Sequence, residues 1–132
     1  MDKKRINIFM VEDNAADAFL TRETLSESTV NDYDVSTSRN GIEALAFLRR
    51  KKGDENAAQP DLIILDLSLP RMDGFEFLTE MRKDKELVDI PVFVLTTSAV
   101  RVDAEKAREL GVISYLIKPI DLSEFESALS NR

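Results

Sequence analysis

The sequence predicts an α/β fold, a doubly wound parallel sheet covered by helices on both faces. Three observations predict it. Short apolar runs, "INIFMV" (6–11), "DLIILD" (61–66) and "PVFVLT" (91–96), have the length and β-branched content of strands buried on both faces. Segments with helix-start chemistry lie between them. Strand and helix then alternate along all 132 residues, the pattern of right-handed crossovers joining parallel strands.

Taken in order, "INIFMV" is the first strand. "NAADAFLTRETLSES" (14–28) follows as a helix, with Asn14 as N-cap and Asp17 at its third position. "YDVSTS" (33–38) alternates polar and apolar residues and reads as an edge strand. "NGIEALAFLRR" (40–50) is the second helix, where Asn40 and Glu43 have capping-box spacing. The polar stretch 51–60 is expected to be a surface loop. "DLIILD" is the third strand and "DGFEFLTEMRKD" (73–84) the third helix, for which Asp73 suits the start. After "PVFVLT", the fourth strand, comes the helix "RVDAEKAREL" (101–110), ended by Gly111 at a C-cap position. "ISYLI" (113–117) is the fifth strand. "DLSEFESALSNR" (121–132) is the last helix, with Asp121 and Glu124 at capping-box spacing and Leu122, Phe125 and Leu129 directed to the core.

Composition narrows the function classes. The length suits one domain, 1–132, with a core from about 5 to 130, and 43% apolar with 33% charged residues is a globular balance. No apolar run approaches the roughly 18 residues of a membrane helix, and the start is too short for a signal peptide, so a cytoplasmic location is expected. The chain has no cysteine, which excludes disulfide and thiolate chemistry. It also has no histidine, which removes the usual general base and the commonest transition-metal ligand. Any chemistry must run on carboxylates, hydroxyls and amines. A net charge of −7 disfavours nucleic acid as a partner, and "RRKK" (49–52) reads as a solvated helix end.

In doubly wound sheets, ligands bind outside the carboxyl ends of the strands. Here the first strand ends in Glu12 and Asp13, the third in Asp66, the fourth in Thr96 and Thr97, and the fifth in Lys118 before Pro119. Asp66 is therefore read as capping a core strand at the functional edge. Three carboxylates on one rim conflict: each like-charged pair at 4 Å repels by about 4 kcal/mol at a protein-like dielectric. A proton or a cation must relieve it. Lys118 neutralises one charge and leaves an oxygen cluster suited to Mg²⁺ keeping several waters, whose open positions a phosphoryl group can fill. Asp66 can then act as nucleophile and form an acyl phosphate, with Thr96 and Lys118 donating to phosphoryl oxygens. Taken singly, Glu12 and Asp13 fit a helix-start charge, Thr97 a strand continuation and Tyr115 ordinary packing.

Together, "VEDN", "LDLSLPRMDG", "LTTS" and "YLIKP", in order at the ends of strands one, three, four and five, carry a resemblance to the receiver domain of two-component response regulators. The similarity spans roughly residues 5–130. It implies a flavodoxin-like five-stranded sheet in the order 2-1-3-4-5. It implies that Asp66 accepts phosphate from a phosphohistidine of a sensor histidine kinase or phosphotransfer protein, with Mg²⁺ held by Glu12, Asp13, Asp66 and the backbone carbonyl of Ser68. Thr96 is then expected to move toward the phosphoryl group, Tyr115 to rotate inward after it, and Lys118 to bind a phosphoryl oxygen, its bond to Pro119 being cis. Such a protein is not an enzyme on other substrates; it catalyses only its own phosphorylation and dephosphorylation. No output domain is read after the fifth helix, so output is expected through the face spanning 99–129, by partner docking or homodimerisation. The 51–60 loop, "LTTS" and "DLSEF" are similar to single-domain receivers of the phytochrome-associated type. Two positions depart from the common pattern: Thr97 stands where many receivers carry alanine or glycine, and Ser68 occupies a position that tunes phosphate lifetime.

Three rivals fit less well. A haloacid-dehalogenase-like phosphohydrolase normally carries its nucleophile after the first strand with a second Asp two residues on, whereas here position 68 is Ser. A flavodoxin-type FMN carrier shares the layout, but the first loop, "EDNAAD", is acidic where a phosphate-binding loop offers hydroxyls and free amides. A phosphorylation-independent adaptor would typically lack Asp66 or Lys118.

Overall fold

The structure is a computed structural model and describes residues 3–52, 59–98 and 100–131. Five strands, β1 (Lys4–Val11), β2 (Asn31–Ser38), β3 (Leu62–Leu65), β4 (Val92–Thr96) and β5 (Ser114–Ile117), alternate with five helices, α1 (Ala15–Ser26), α2 (Gly41–Lys52), α3 (Gly74–Lys83), α4 (Arg101–Glu109) and α5 (Leu122–Ser130). The sheet is parallel throughout, in the order β2-β1-β3-β4-β5. Each predicted element is present, and the differences lie at the ends. The edge strand β2 begins at Asn31, two residues before its apolar alternation starts, because it pairs with β1 from Lys4 onward. Of the 51–60 loop, residues 53–58 lie outside the described residues, as do Ala99 and Arg132.

Alternate residues of each inner strand feed two cores. Ile8, Met10, Ile64, Phe93 and Leu95 pack with Leu25 of α1 and Phe125 of α5. Phe9, Val11, Ile63, Leu65 and Val94 pack with Leu48 of α2, Phe77 and Met81 of α3 and Ala107 of α4. Leu122 and Leu129 are partly buried against the first core, as their spacing predicts.

Helix starts follow the predicted caps. Asn14 Oδ1 accepts from the Asp17 amide at 2.9 Å, Asn40 from Glu43 at 2.9 Å and Asp121 from Glu124 at 2.9 Å. Asp73 and Glu76 form a complete capping box. Each cap stabilises its helix by about 1 kcal/mol. Helix α4 alone among those with a described cap begins at a residue without a side-chain cap, Val100. At its other end Gly111 takes φ +83°, the left-handed turn glycine adopts without strain. The guanidinium of Arg82 donates to the carbonyls of Leu110, Gly111 and Val88 at 2.7, 3.1 and 2.6 Å, pinning the end of α4 to the α3–β4 connection.

Two contacts fix helices against the rest of the fold. A Cβ on Gly74 would lie 2.7 Å from Leu67 Cα and 2.9 Å from the Asp66 carbonyl oxygen, so only glycine lets α3 start against the loop after β3. On the opposite face, the Glu126 carboxylate accepts from Ser28 Oγ and Tyr33 Oη, each at 2.6 Å, which ties α5 to the α1–β2 corner. Burial first, and then the bond to the Glu126 carboxylate, push the Tyr33 phenol up to about 12.

Two outcomes follow from these contacts. Gly74→Ala should lose about 1–3 kcal/mol of stability in urea unfolding, the usual cost of forcing an extra methyl into a packed contact. A raised phenol stabilises the fold fully below about pH 10, and the contribution is lost as pH rises through about 12. Ultraviolet titration should therefore show Tyr33 ionising late, beside a Tyr115 that burial also raises, and in Glu126→Gln the Tyr33 ionisation should move back toward its ordinary value.

Candidate functional site

The carboxyl ends of β1, β3, β4 and β5 meet on one rim because the strands are parallel and adjacent in that order. Glu12 and Asp13 follow the last residue of β1, and Asp66 follows the last residue of β3. The pairing of Val11 with Leu65 sets these two exits side by side. One carboxylate oxygen from each of Glu12, Asp13 and Asp66 lies within 4.8 Å of the others. Asp13 is exposed, while Glu12 and Asp66 are each 6% exposed. Asp66 is thus at the rim, as its position after the strand predicts, yet buried there.

Burial is tolerable because Lys118 is present. Its ammonium lies 2.6 Å from Glu12 Oε1, 2.8 Å from Asp17 Oδ2 and 2.9 Å from Asp66 Oδ2. Asp66 Oδ1 accepts in turn from the Ser68 amide at 3.1 Å. Lys118 reaches this place from the end of β5, where its own amide bonds to the Thr96 carbonyl at 2.8 Å and its bond to Pro119 is cis. Burial alone would depress the Lys118 ammonium, but bonds to Asp17, Glu12 and Asp66 outweigh it and hold the group above its ordinary range. Glu12 is pushed up to about 7, first by burial and further by the Asp66 charge, since a lysine shared among three carboxylates cannot fully compensate any one of them.

Asp17 is the member of this group whose role its spacing does not disclose. Its amide serves the Asn14 cap, as predicted, but its carboxylate leaves the helix end for Lys118. The available signal was its place: an acid on the first turn after the rim residues of β1 stands beside whatever they face.

Thr96 closes β4, fully buried, and its Oγ1 accepts from the Ser98 amide at 3.5 Å. None of the hydrogen bonds among the described residues joins that hydroxyl to the acidic cluster. Thr97, expected to continue the strand, instead lies just past its end and is exposed, because pairing of β4 with β5 stops at Thr96. Tyr115 is half-buried against the core, and its hydroxyl donates to the Ser98 carbonyl at 2.7 Å. Ser98 Oγ donates to Asp103 Oδ2 at 2.7 Å, so one serine connects the tyrosine, the β4–α4 loop and the first turn of α4. Sequence spacing did not point to Ser98 or Asp103, because the connection exists only once the loop folds over β5. Ser68 is exposed.

The donor set is all oxygen, anionic and compact, which fits a hard divalent cation with open positions and does not fit a soft metal. The charge balance around Lys118 leaves the rim net negative. Among the described residues, no helix is long and apolar enough to cross a membrane.

Comparison with known proteins agrees with this geometry. The family described as response regulator receiver domain matches residues 8–130. Response regulator Rcp1 from Synechocystis sp. is 43% identical over 117 residues, which cover 89% of this chain and 79% of that protein. The crystal structure of the phosphorylated cyanobacterial phytochrome response regulator RcpA superimposes with a TM-score of 0.78 at 44% identity, covering 96% of this chain and 91% of the other. The Mn²⁺-bound form of Rcp1 does so with a TM-score of 0.76 at 40% identity, covering 95% and 90%. Because the match runs through nearly every element of the fold and all four rim segments fall inside it, the chain belongs to the response regulator receiver domain family of two-component systems.

Proposed function

We propose that Asp66 is the phosphoacceptor of a two-component phosphorelay and that Glu12, Asp13, Asp66 and the Ser68 carbonyl hold Mg²⁺ beside it. The observation that carries this reading is the Lys118 ammonium seated 2.9 Å from Asp66, at the edge of an acidic cluster on the sheet rim. It is supported by two relatives, Rcp1 in an Mn²⁺-bound form and RcpA in a phosphorylated form. In the proposed step a carboxylate oxygen of Asp66 attacks the phosphorus of a phosphohistidine. An acyl phosphate forms, the P–N bond breaks, and the imidazole leaves with the electron pair and takes up a proton. The donor is a sensor histidine kinase or phosphotransfer protein, since this chain has no histidine of its own.

The bound cation supplies charge neutralisation for the transferring phosphoryl oxygens. This chain's residues do the rest. Lys118 donates one charge-assisted bond to a phosphoryl oxygen. The Ser68 amide, already on Asp66 Oδ1, holds the carboxylate in place. Thr96 turns its hydroxyl from the Ser98 amide to the phosphoryl group, and Tyr115 follows through its bond to the Ser98 carbonyl. Because Ser98 also holds Asp103, this shift reaches α4, whose start lacks a side-chain cap. Phosphorylation then shifts the population of conformers on the 99–129 face, of which residue 99 lies outside the described residues. Val100, Val102, Ile113 and Ile117 are exposed there and supply an apolar surface for partner docking or homodimerisation. The reading places this chemistry in the cytoplasm and involves neither nucleic acid nor membrane.

Incubation with acetyl phosphate and Mg²⁺ should add one phosphoryl group by intact mass, labile to base and absent in Asp66→Asn; normal labelling of Asp66→Asn would overturn the assignment. Glu12 adds a pH dependence whose sign is fixed by its raised carboxyl. Up to about pH 7 a proton occupies Glu12 and competes with the cation; above that the carboxylate is free. Calorimetry should therefore show Mg²⁺ affinity falling as pH drops through about 7, and Glu12→Gln should bind more weakly with that dependence removed.

A further inference from the structure

We propose that Asp17 is a positioning residue that holds the Lys118 ammonium at the mouth of the site throughout the phosphorylation cycle. The inference rests on the reading of Asp66 as phosphoacceptor and Lys118 as the phosphoryl-binding cation. An ammonium has three N–H donors, and here it donates to Asp17 at 2.8 Å and to Asp66 at 2.9 Å and pairs with the Glu12 carboxylate at 2.6 Å. Two of these partners are borrowed. Glu12 and Asp66 also belong to the oxygen cluster that takes the cation, and Asp66 ceases to be a free carboxylate once it carries the phosphoryl group. Both steps draw the same two residues away from the lysine.

Asp17 stands outside that cluster. It comes from the first turn of α1, 101 residues from Lys118 in the chain, and its backbone is fixed by the amide bond to the Asn14 cap. Its carboxylate approaches Lys118 from the outer side, where Asp17, Leu20, Thr97, Lys118 and Pro119 line a cavity of about 310 Å³. Among the described residues, it is therefore the partner of Lys118 that neither the cation nor the phosphoryl group displaces. A lysine has a long flexible stem, and its value in the reaction depends on the ammonium being within reach when the phosphoryl group arrives. With Asp17 retained, one N–H stays anchored while the N–H released by Asp66 turns to a phosphoryl oxygen. A bland role for Asp17, an acidic residue near a helix N-terminus, affects only the stability of α1.

The test uses the full chain, acetyl phosphate as donor and a titration of Mg²⁺, with rates read by intact mass and folding checked by thermal melting. In Asp17→Ala, the rate at saturating Mg²⁺ should fall about tenfold, the effect of losing one bond to a charged group. The half-saturating Mg²⁺ concentration should stay within about threefold, because Asp17 is outside the cation cluster. Asp17→Asn keeps an accepting oxygen and should lose only about threefold in the saturating rate. The proposal is overturned if Asp17→Ala reaches the parent's rate at saturating Mg²⁺, which includes any loss that added Mg²⁺ abolishes. Should Asp17→Ala fail to fold, Asp17→Asn decides: a reduced saturating rate supports the anchor and a parental rate refutes it. Failure of the underlying reading looks different, since Asp66→Asn would then still be labelled. If Asp66→Asn stays unlabelled while both Asp17 variants behave as the parent, only the role of Asp17 is wrong.

Discussion

One ammonium group against three carboxylates organises this molecule. Lys118 lies within 2.9 Å of Glu12, Asp17 and Asp66, residues from the ends of two strands and the start of a helix. Without that cation, Asp66 at 6% exposure would be a buried anion facing two like charges. With it, the rim is held together but not neutralised, and the remaining negative charge suits the site to a divalent cation. The raised carboxyl of Glu12 reflects its burial first and the neighbouring Asp66 charge after it.

The fold makes the two sides of the arrangement unequally constrained. Strands β1 and β3 are inner strands packed on both faces, so the exits bearing Glu12 and Asp66 cannot drift apart without disturbing two cores. Behind Asp66, Gly74 presses α3 onto the loop. The β4–α4 side is built differently. Helix α4 is held at its end by bonds from Arg82 to the carbonyls of Leu110 and Gly111, whereas among the described residues its start is tied to the β4–α4 loop and Tyr115 through Ser98, which bonds to Asp103 and Tyr115. The start of α4, the end nearer Thr96, is therefore the less constrained of the two.

Much of this was legible in the residues. Asn14, Asn40, Asp73 and Asp121 announce helix starts because capping is local chemistry, decided within three residues of the cap. Glu12, Asp13, Asp66 and Lys118 could be placed on one rim because alternation of strand and helix forces a parallel sheet, and a parallel sheet puts all its carboxyl ends together. Thr97 was misjudged because threonine suits a strand anywhere, whereas β4 stops where its pairing with β5 stops. Asp17 read as a helix-start residue, a role its backbone does fill, and nothing local distinguishes that from a carboxylate turned to a lysine 101 residues away.

The sequence by itself determined the order and kind of the elements and the chemical identity of the rim, since hydrophobic period, caps and residue type act over a few neighbours. Only the tertiary structure decided which carboxylates share Lys118, that Asp66 is buried, and that Ser98 links Tyr115 to α4. Those depend on how far side chains reach across strand ends, on local dielectric and on the path of a loop, quantities set by the packing of the whole sheet and not by any segment of it.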